Sequence, residues 1–194
     1  VNTESSIRTR RLVHDHVKYA GAKRFLNKNT RHCRRLRYIN TIFPDAKFIH
    51  IIRDGRAVVA SLINVSFWRS LKPWILKNNK KWLKDKTYFD EIEIAAELWK
   101  AEVSQVYKDR EKIPPEQFYE IKYENFTASP ISELKAALEF CELDWDKKMK
   151  TYTKAKNIVN MNDRFKCRLN QNQVGQVESI IGDFVKNIGY KLKR

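Results

Sequence analysis

Glycine is scarce in this sequence, with five residues in 194, at positions 21, 55, 175, 182 and 189. None opens a Gly-x-x-x-x-Gly-Lys-Ser/Thr run. That argues against a nucleotide kinase or another P-loop enzyme, whose chemistry needs backbone N–H groups bared by glycine to cradle phosphate. Cysteine is scarcer. Cys33, Cys141 and Cys167 are odd in number, widely spaced and not arranged in metal-ligand pairs. Neither a disulfide framework nor a zinc knuckle is indicated, and a reducing, cytoplasmic setting fits best. No apolar run approaches the roughly 18 residues of a membrane-spanning helix, and Val1 to Arg10 has neither an apolar stretch nor the start of a signal peptide, so a soluble protein is expected. Acidic residues are in deficit, 23 against 39 basic, for a net charge of +16. Such an excess points to a polyanionic or phosphate-bearing partner and leaves nucleic acid, nucleotide and anionic membrane open.

What is present is enough apolar material, 42% of residues, to bury a sizeable core, and a single domain over residues 1–194 is the default expectation. The positive charge is uneven. Lys23, Arg24, Lys28, Arg31, Arg34, Arg35 and Arg37 follow one another with no acidic residue between them, and a second basic stretch with interleaved aromatics runs from Trp68 to Lys86. His14 and His16 are two apart and so face different sides of a helix, which argues against a metal site. The five tryptophans read as core and lid material rather than as a stacking platform.

The spacing predicts a polar helix over Glu4 to Tyr19 ended by Gly21, and a helix over Arg34 to Phe43 stopped by Pro44. The run Phe48-Ile49-His50-Ile51-Ile52 has the length and β-branching of a strand buried on both faces, as in a parallel sheet flanked by helices. Asp54 is placed to cap the next helix, with Gly55 in the turn. Ser66 to Tyr88 has no clean period and reads as an irregular excursion that could cover a site. A long amphipathic helix follows from Glu93, with Ala95, Leu98, Trp99, Val103, Val106 and Tyr107 on one face and Pro114-Pro115 barring its continuation. Phe118 to Tyr123 is a second strand. Ser129-Pro130 starts a helix with the stripe Ile131, Leu134, Leu138 and Cys141. Asp146 to Asn172 reads as polar and loop-rich. A final helix carries Val174, Val177, Ile181, Phe184 and Ile188 and is closed by Gly189. Strands alternating with helices mean an α/β fold with a mainly parallel sheet, whose ligands sit at the carboxyl ends of the strands. Arg53 stands at such an end.

The segment Phe43-Pro-Asp-Ala-Lys-Phe-Ile-His-Ile-Ile-Arg-Asp-Gly-Arg-Ala-Val-Val-Ala-Ser-Leu62 resembles the 3′-phosphate-binding motif of sulfotransferases that use PAPS (3′-phosphoadenosine-5′-phosphosulfate), in the bacterial-type branch. That resemblance implies a P-loop-NTPase-like three-layer α/β fold. It also gives Arg53 and Ser61 the task of holding the nucleotide 3′-phosphate. The chemistry suits it, because a guanidinium presents a planar fork of donors to phosphate oxygens and a hydroxyl adds one more. The partial positive charge of a nearby helix N-terminus would add to it.

The resemblance runs over about residues 23–190. Ala22 to Thr30 is similar to the segment where a lysine approaches the transferred group, which makes Lys28 a candidate contact. Relatives often carry proline where this chain has Thr30. His32 lies near the place of a catalytic histidine in some branches, but nothing sets it in register. Phe118 to Phe126 resembles the strand and turn whose tyrosine approaches adenine, here Tyr123. Arg164-Phe-Lys-Cys-Arg-Leu169 is similar to a basic loop that closes over the nucleotide, so Lys166 and Arg164 are carried over. Relatives commonly show Trp-Arg at Phe165-Lys166, an exchange that keeps charge but gives up a bidentate donor.

The family's glycine-bearing 5′-phosphosulfate loop has no counterpart here, so the resemblance begins after it and the fold is expected to be incomplete at its N-terminus. Lacking a central strand should expose an apolar sheet edge and invite association into oligomers. The resemblance implies sulfuryl transfer from PAPS to a hydroxyl or amine acceptor such as a sugar, a phenol or another small molecule, with no metal. Turnover by this shortened chain, the acceptor and the catalytic base stay open. The competing reading is a non-catalytic basic module that binds nucleotides or nucleic acid, with steep salt dependence and no need of a 3′-phosphate.

Overall fold

Pro44 follows the end of one helix and releases the chain into an apolar strand. In the computed structural model, which describes residues 3–68, 70 and 90–192, the α/β alternation expected from the sequence is present. Most of the Ser66 to Tyr88 excursion, with Trp74 and Trp82, lies outside the described residues. Trp68 at its start is buried, and its indole N–H has no partner among the described residues. The chain divides into two compact units, residues 1–50 with 104–119 and residues 51–103 with 120–194.

In the first unit, helix α1 (Thr3–Tyr19) buries none of its residues, and Gly21 at φ +59° follows its end, a conformation that glycine adopts without a Cβ penalty. The Arg10 guanidinium donates to the Ile42 carbonyl at the end of helix α2 (Leu36–Ile42). α2 begins two residues later than the sequence suggested. The Asn29 side chain accepts the Arg31 N–H and starts a 3₁₀ turn over Thr30–Arg34, and Arg35, at φ −139°, breaks from it. α2 has no cap from its own residues. Instead the buried carboxylate of Asp109 accepts the Arg37 N–H at 3.4 Å. Leu36, Val106, Ile113 and Phe118 form this unit's core, with Cys33 and Phe48 against it.

Strands β1 (Phe48–Ile52) and β2 (Phe118–Lys122) pair in a two-stranded parallel sheet, and each begins in the first unit and ends in the second. β1 is not buried on both faces as expected. Ile52 is 1% exposed, but Ile49 and Ile51, on the opposite face by the period of two, are 40% and 63% exposed because no described element covers them. β2 ends one residue early, since Tyr123 already starts the short helix Tyr123–Ala128.

In the second unit, Asp54 caps helix α3 (Gly55–Leu62) as predicted, its side chain accepting the Arg56 N–H. Glycine at position 55 allows close packing: a Cβ there would lie 2.7 Å from the tip of the Ile181 side chain and 3.1 Å from the Trp99 ring, so both neighbours would have to shift. The long helix spans Glu91–Arg110 and is buried more widely than one stripe, through Ile92, Ile94, Ala95, Ala96, Leu98, Trp99 and Val103 in this unit. The last helix, Gln171–Asn187, starts at an Asn170–Gln173 capping box, buries Val177, Ile181 and Val185, and is followed by Gly189 at φ +66°. Ser129 stands at the N-cap of Pro130–Phe140, but its hydroxyl makes no capping bond. The supposed loop between Asp146 and Asn172 holds two helices, Lys147–Ala155 and Phe165–Arg168. Asp146 caps the first, and burial of Phe165 and Leu169 anchors the second.

Candidate functional site

Arg53 is the first residue past β1, half-buried and fixed from two sides within the second unit. Its Nε donates to Asn162 Oδ1 at 2.8 Å, and its guanidinium carbon lies 4.3 Å from the centroid of the Tyr123 ring. A cation over an aromatic face is attracted by the ring quadrupole, which adds to the hold of Asn162 on this side chain. Among the described residues, no hydrogen bond or ion pair engages its two terminal nitrogens.

A single carboxylate oxygen organises the floor of this site. Glu124 Oε1 accepts the Tyr190 hydroxyl at 2.7 Å, the Asp54 backbone N–H at 3.3 Å, and the Asn162 amide. Burial pushes the Tyr190 phenol far up from its ordinary range, and the hydrogen bond to Glu124 and its charge push it further. The Tyr123 hydroxyl accepts the Met161 N–H at 3.2 Å and lies 3.4 Å from the Val159 carbonyl, so one tyrosine ties down the segment that delivers Asn162.

Behind Arg53, Asp54 and Arg56 form a buried pair at 2.7 Å, with side chains 6% and 5% exposed. Arg56 reaches Glu178 at 2.7 Å and lies over the Phe165 ring at 4.6 Å. Burial works against its charge, but the hydrogen bonds and charges of Asp54 and Glu178 outweigh that and raise its pKa. The N-terminus of α3, expected to lend positive charge to a ligand, is therefore already capped by its own carboxylate.

Of the residues singled out in the sequence, Arg53 and Tyr123 are brought into contact. Ser61 is exposed in the last turn of α3. Arg164 and Lys166 are exposed just after Asn162, and Lys166 pairs with Asp163 at 2.9 Å. Phe165, between them, is turned inward against Arg56. Lys28 is exposed and belongs to the first unit. In that unit the His32 Nε2 meets Asn27 Oδ1 at 2.8 Å, while Nδ1 is buried with no partner among the described residues. Desolvation, then the charge of Arg35, lowers the His32 pKa. Sequence reasoning did not find Asn162, Glu124 or Tyr190. Glu124 directly follows the singled-out tyrosine, but nothing in the sequence marks the other two. Among the described residues there is no His/Cys/Asp/Glu cluster that could hold a metal, and no helix long and apolar enough to cross a membrane.

Comparison with known proteins adds the lineage. A model of the sulfotransferase family matches residues 4–147. The chain is 28% identical over 119 residues to omega-hydroxy-beta-dihydromenaquinone-9 sulfotransferase Stf3 of Mycobacterium tuberculosis, a stretch that is 61% of this chain and 29% of that protein. It is 27% identical over 130 residues to protein-tyrosine sulfotransferase A of Caenorhabditis elegans, covering 66% of this chain and 30% of that one. The matches thus span under a third of these relatives' length. In structure, the chain superimposes on the sulfotransferase domain from the curacin biosynthetic pathway with a TM-score of 0.66 at 13% identity, over 95% of this chain and 69% of that domain. Sulfotransferase STF9 from Mycobacterium avium gives 0.56 at 18%, over 83% and 41%. These likenesses show the expected P-loop-like α/β fold, in part.

Proposed function

Since the chain belongs to the sulfotransferase family, we propose that its second unit binds the 3′-phosphate of PAPS through Arg53 and serves sulfuryl transfer to a hydroxyl or amine acceptor. The supporting observation is the guanidinium at the carboxyl end of β1, stacked on Tyr123 and anchored by Nε alone, with its terminal fork uncommitted among the described residues. Phosphate is an anion whose oxygens such a planar fork can meet bidentately. Ser61 adds a hydroxyl to the same phosphate, and Tyr123 offers an aromatic edge to the adenine. Lys166 and Arg164 close over the nucleotide. In the transfer, the bond from sulfur to the donor's phosphate oxygen breaks and a bond to the acceptor oxygen or nitrogen forms. The acceptor gives up a proton, and 3′,5′-adenosine bisphosphate departs. Most of the rate enhancement in such a displacement comes from positioning and electrostatics. The acceptor is a small molecule such as a sugar or a phenol. The three free cysteines favour a reducing cytoplasm.

A thermal-shift comparison tests the reading. At equal concentration, 3′,5′-adenosine bisphosphate should raise the melting temperature more than 5′-AMP. Equal shifts would contradict it and favour the basic-module reading, whose binding falls steeply with salt and ignores the 3′-phosphate.

A further inference from the structure

Among the described residues Arg53 bonds to no carboxylate directly, and Glu124 is reached only through a third side chain. Asn162 stands between them, its Oδ1 accepting from Arg53 Nε at 2.8 Å and its Nδ2 donating to Glu124 Oε1. We propose that Asn162 is a positioning residue for the 3′-phosphate site, a neutral amide spacer that orients Arg53 while keeping the Glu124 charge off it. The inference rests on the reading of Arg53 given above.

The network admits one amide orientation. Reversed, the NH₂ group would face the guanidinium and the carbonyl oxygen would face the carboxylate, with like poles opposed at both ends. Glu124 therefore sets Asn162, and Asn162 sets Arg53. Glu124 is held in turn by the Tyr190 hydroxyl at 2.7 Å and the Asp54 N–H at 3.3 Å. The backbone leading into it is tied as well, since the Asn162 N–H reaches Asn160 Oδ1 at 2.9 Å and the Met161 N–H reaches the Tyr123 hydroxyl at 3.2 Å.

The chemical consequence concerns competition. A carboxylate bonded to the guanidinium would occupy donors and cancel the charge that a phosphate needs, so a ligand would have to displace it. An amide fixes the same Nε–H with no net charge, so the guanidinium keeps its positive charge and, among the described residues, both terminal nitrogens stay uncommitted. Asn162 therefore governs selectivity for a 3′-phosphorylated nucleotide rather than affinity for nucleotides in general.

The test is calorimetric titration of the wild-type chain, Asn162→Ala and Asn162→Asp with 3′,5′-adenosine bisphosphate and with 5′-AMP, with a melting curve for each protein. Asn162→Ala should reduce the preference for the bisphosphate about tenfold, and Asn162→Asp should reduce it further, with 5′-AMP affinity unchanged. If the aspartate variant fails to fold, the alanine variant carries the test. Preference kept in the variants, or equal weakening of both ligands, overturns the role of Asn162 alone. A wild-type chain without preference overturns the 3′-phosphate reading and this inference with it.

Discussion

The guanidinium of Arg53 lies 4.3 Å from the centre of the Tyr123 ring, so the two residues that the sequence assigned separately to phosphate and adenine form one stacked pair. Under the proposed role of Arg53, phosphate binding is coupled to aromatic packing, and a change at Tyr123 should be felt at Arg53.

Two substitutions separate the ring from its hydroxyl. Tyr123→Phe keeps the stack and loses the tie to Met161 and Val159, which should cost about 1 kcal/mol of stability and leave bisphosphate affinity within a fewfold. Tyr123→Ala loses the ring contact as well, a further ~0.5–2 kcal/mol by the usual worth of a cation–π contact, and should weaken bisphosphate binding roughly tenfold or more. Denaturant melts and titration of both variants check the order.

The Asp54–Arg56 pair is structural. Arg56→Met would leave the Asp54 carboxylate buried without its partner and should destabilise the chain by about 3–5 kcal/mol in urea unfolding. Glu178 is 44% exposed at its end of the network, so Glu178→Gln should cost less than about 1 kcal/mol.

His32 predicts an acid-side effect. Its folded pKa is below the ordinary 6.5 because burial disfavours the imidazolium. Its stabilising contribution is therefore fully present above pH 6.5. As pH falls, the unfolded chain takes up a proton that the folded chain refuses, and stability drops until the folded pKa is passed. Unfolding measured at pH 7 and pH 5 should show a smaller loss for His32→Gln than for the wild type.

The frame of this fold was legible because its signals are local. The apolar run Phe48–Ile52, the cap at Asp54 and the closing glycine at 189 each lie next to the element they define. The site was half legible for the same reason. Arg53 stands at a strand end and the family motif surrounds it, but its anchor Asn162 is 109 residues away, and Arg56 finds Glu178 at a separation of 122. No periodicity announces such pairs. The helices between Asp146 and Asn172 were missed because they are short and polar, and their anchors, Phe165 and Leu169, make no stripe on their own. The expectation of a doubly buried β1 failed at Ile49 and Ile51, because β-branching reports strand preference and not what covers the strand.

The proposed reading of a 3′-phosphate by Arg53 is tested first by the ratio of dissociation constants for 5′-AMP and 3′,5′-adenosine bisphosphate in the wild type and in Arg53→Ala. A ratio of about ten or more is expected in the wild type, falling to near one in the variant through loss of bisphosphate affinity alone. A ratio near one in the wild type, or a preference that survives in Arg53→Ala, would contradict it.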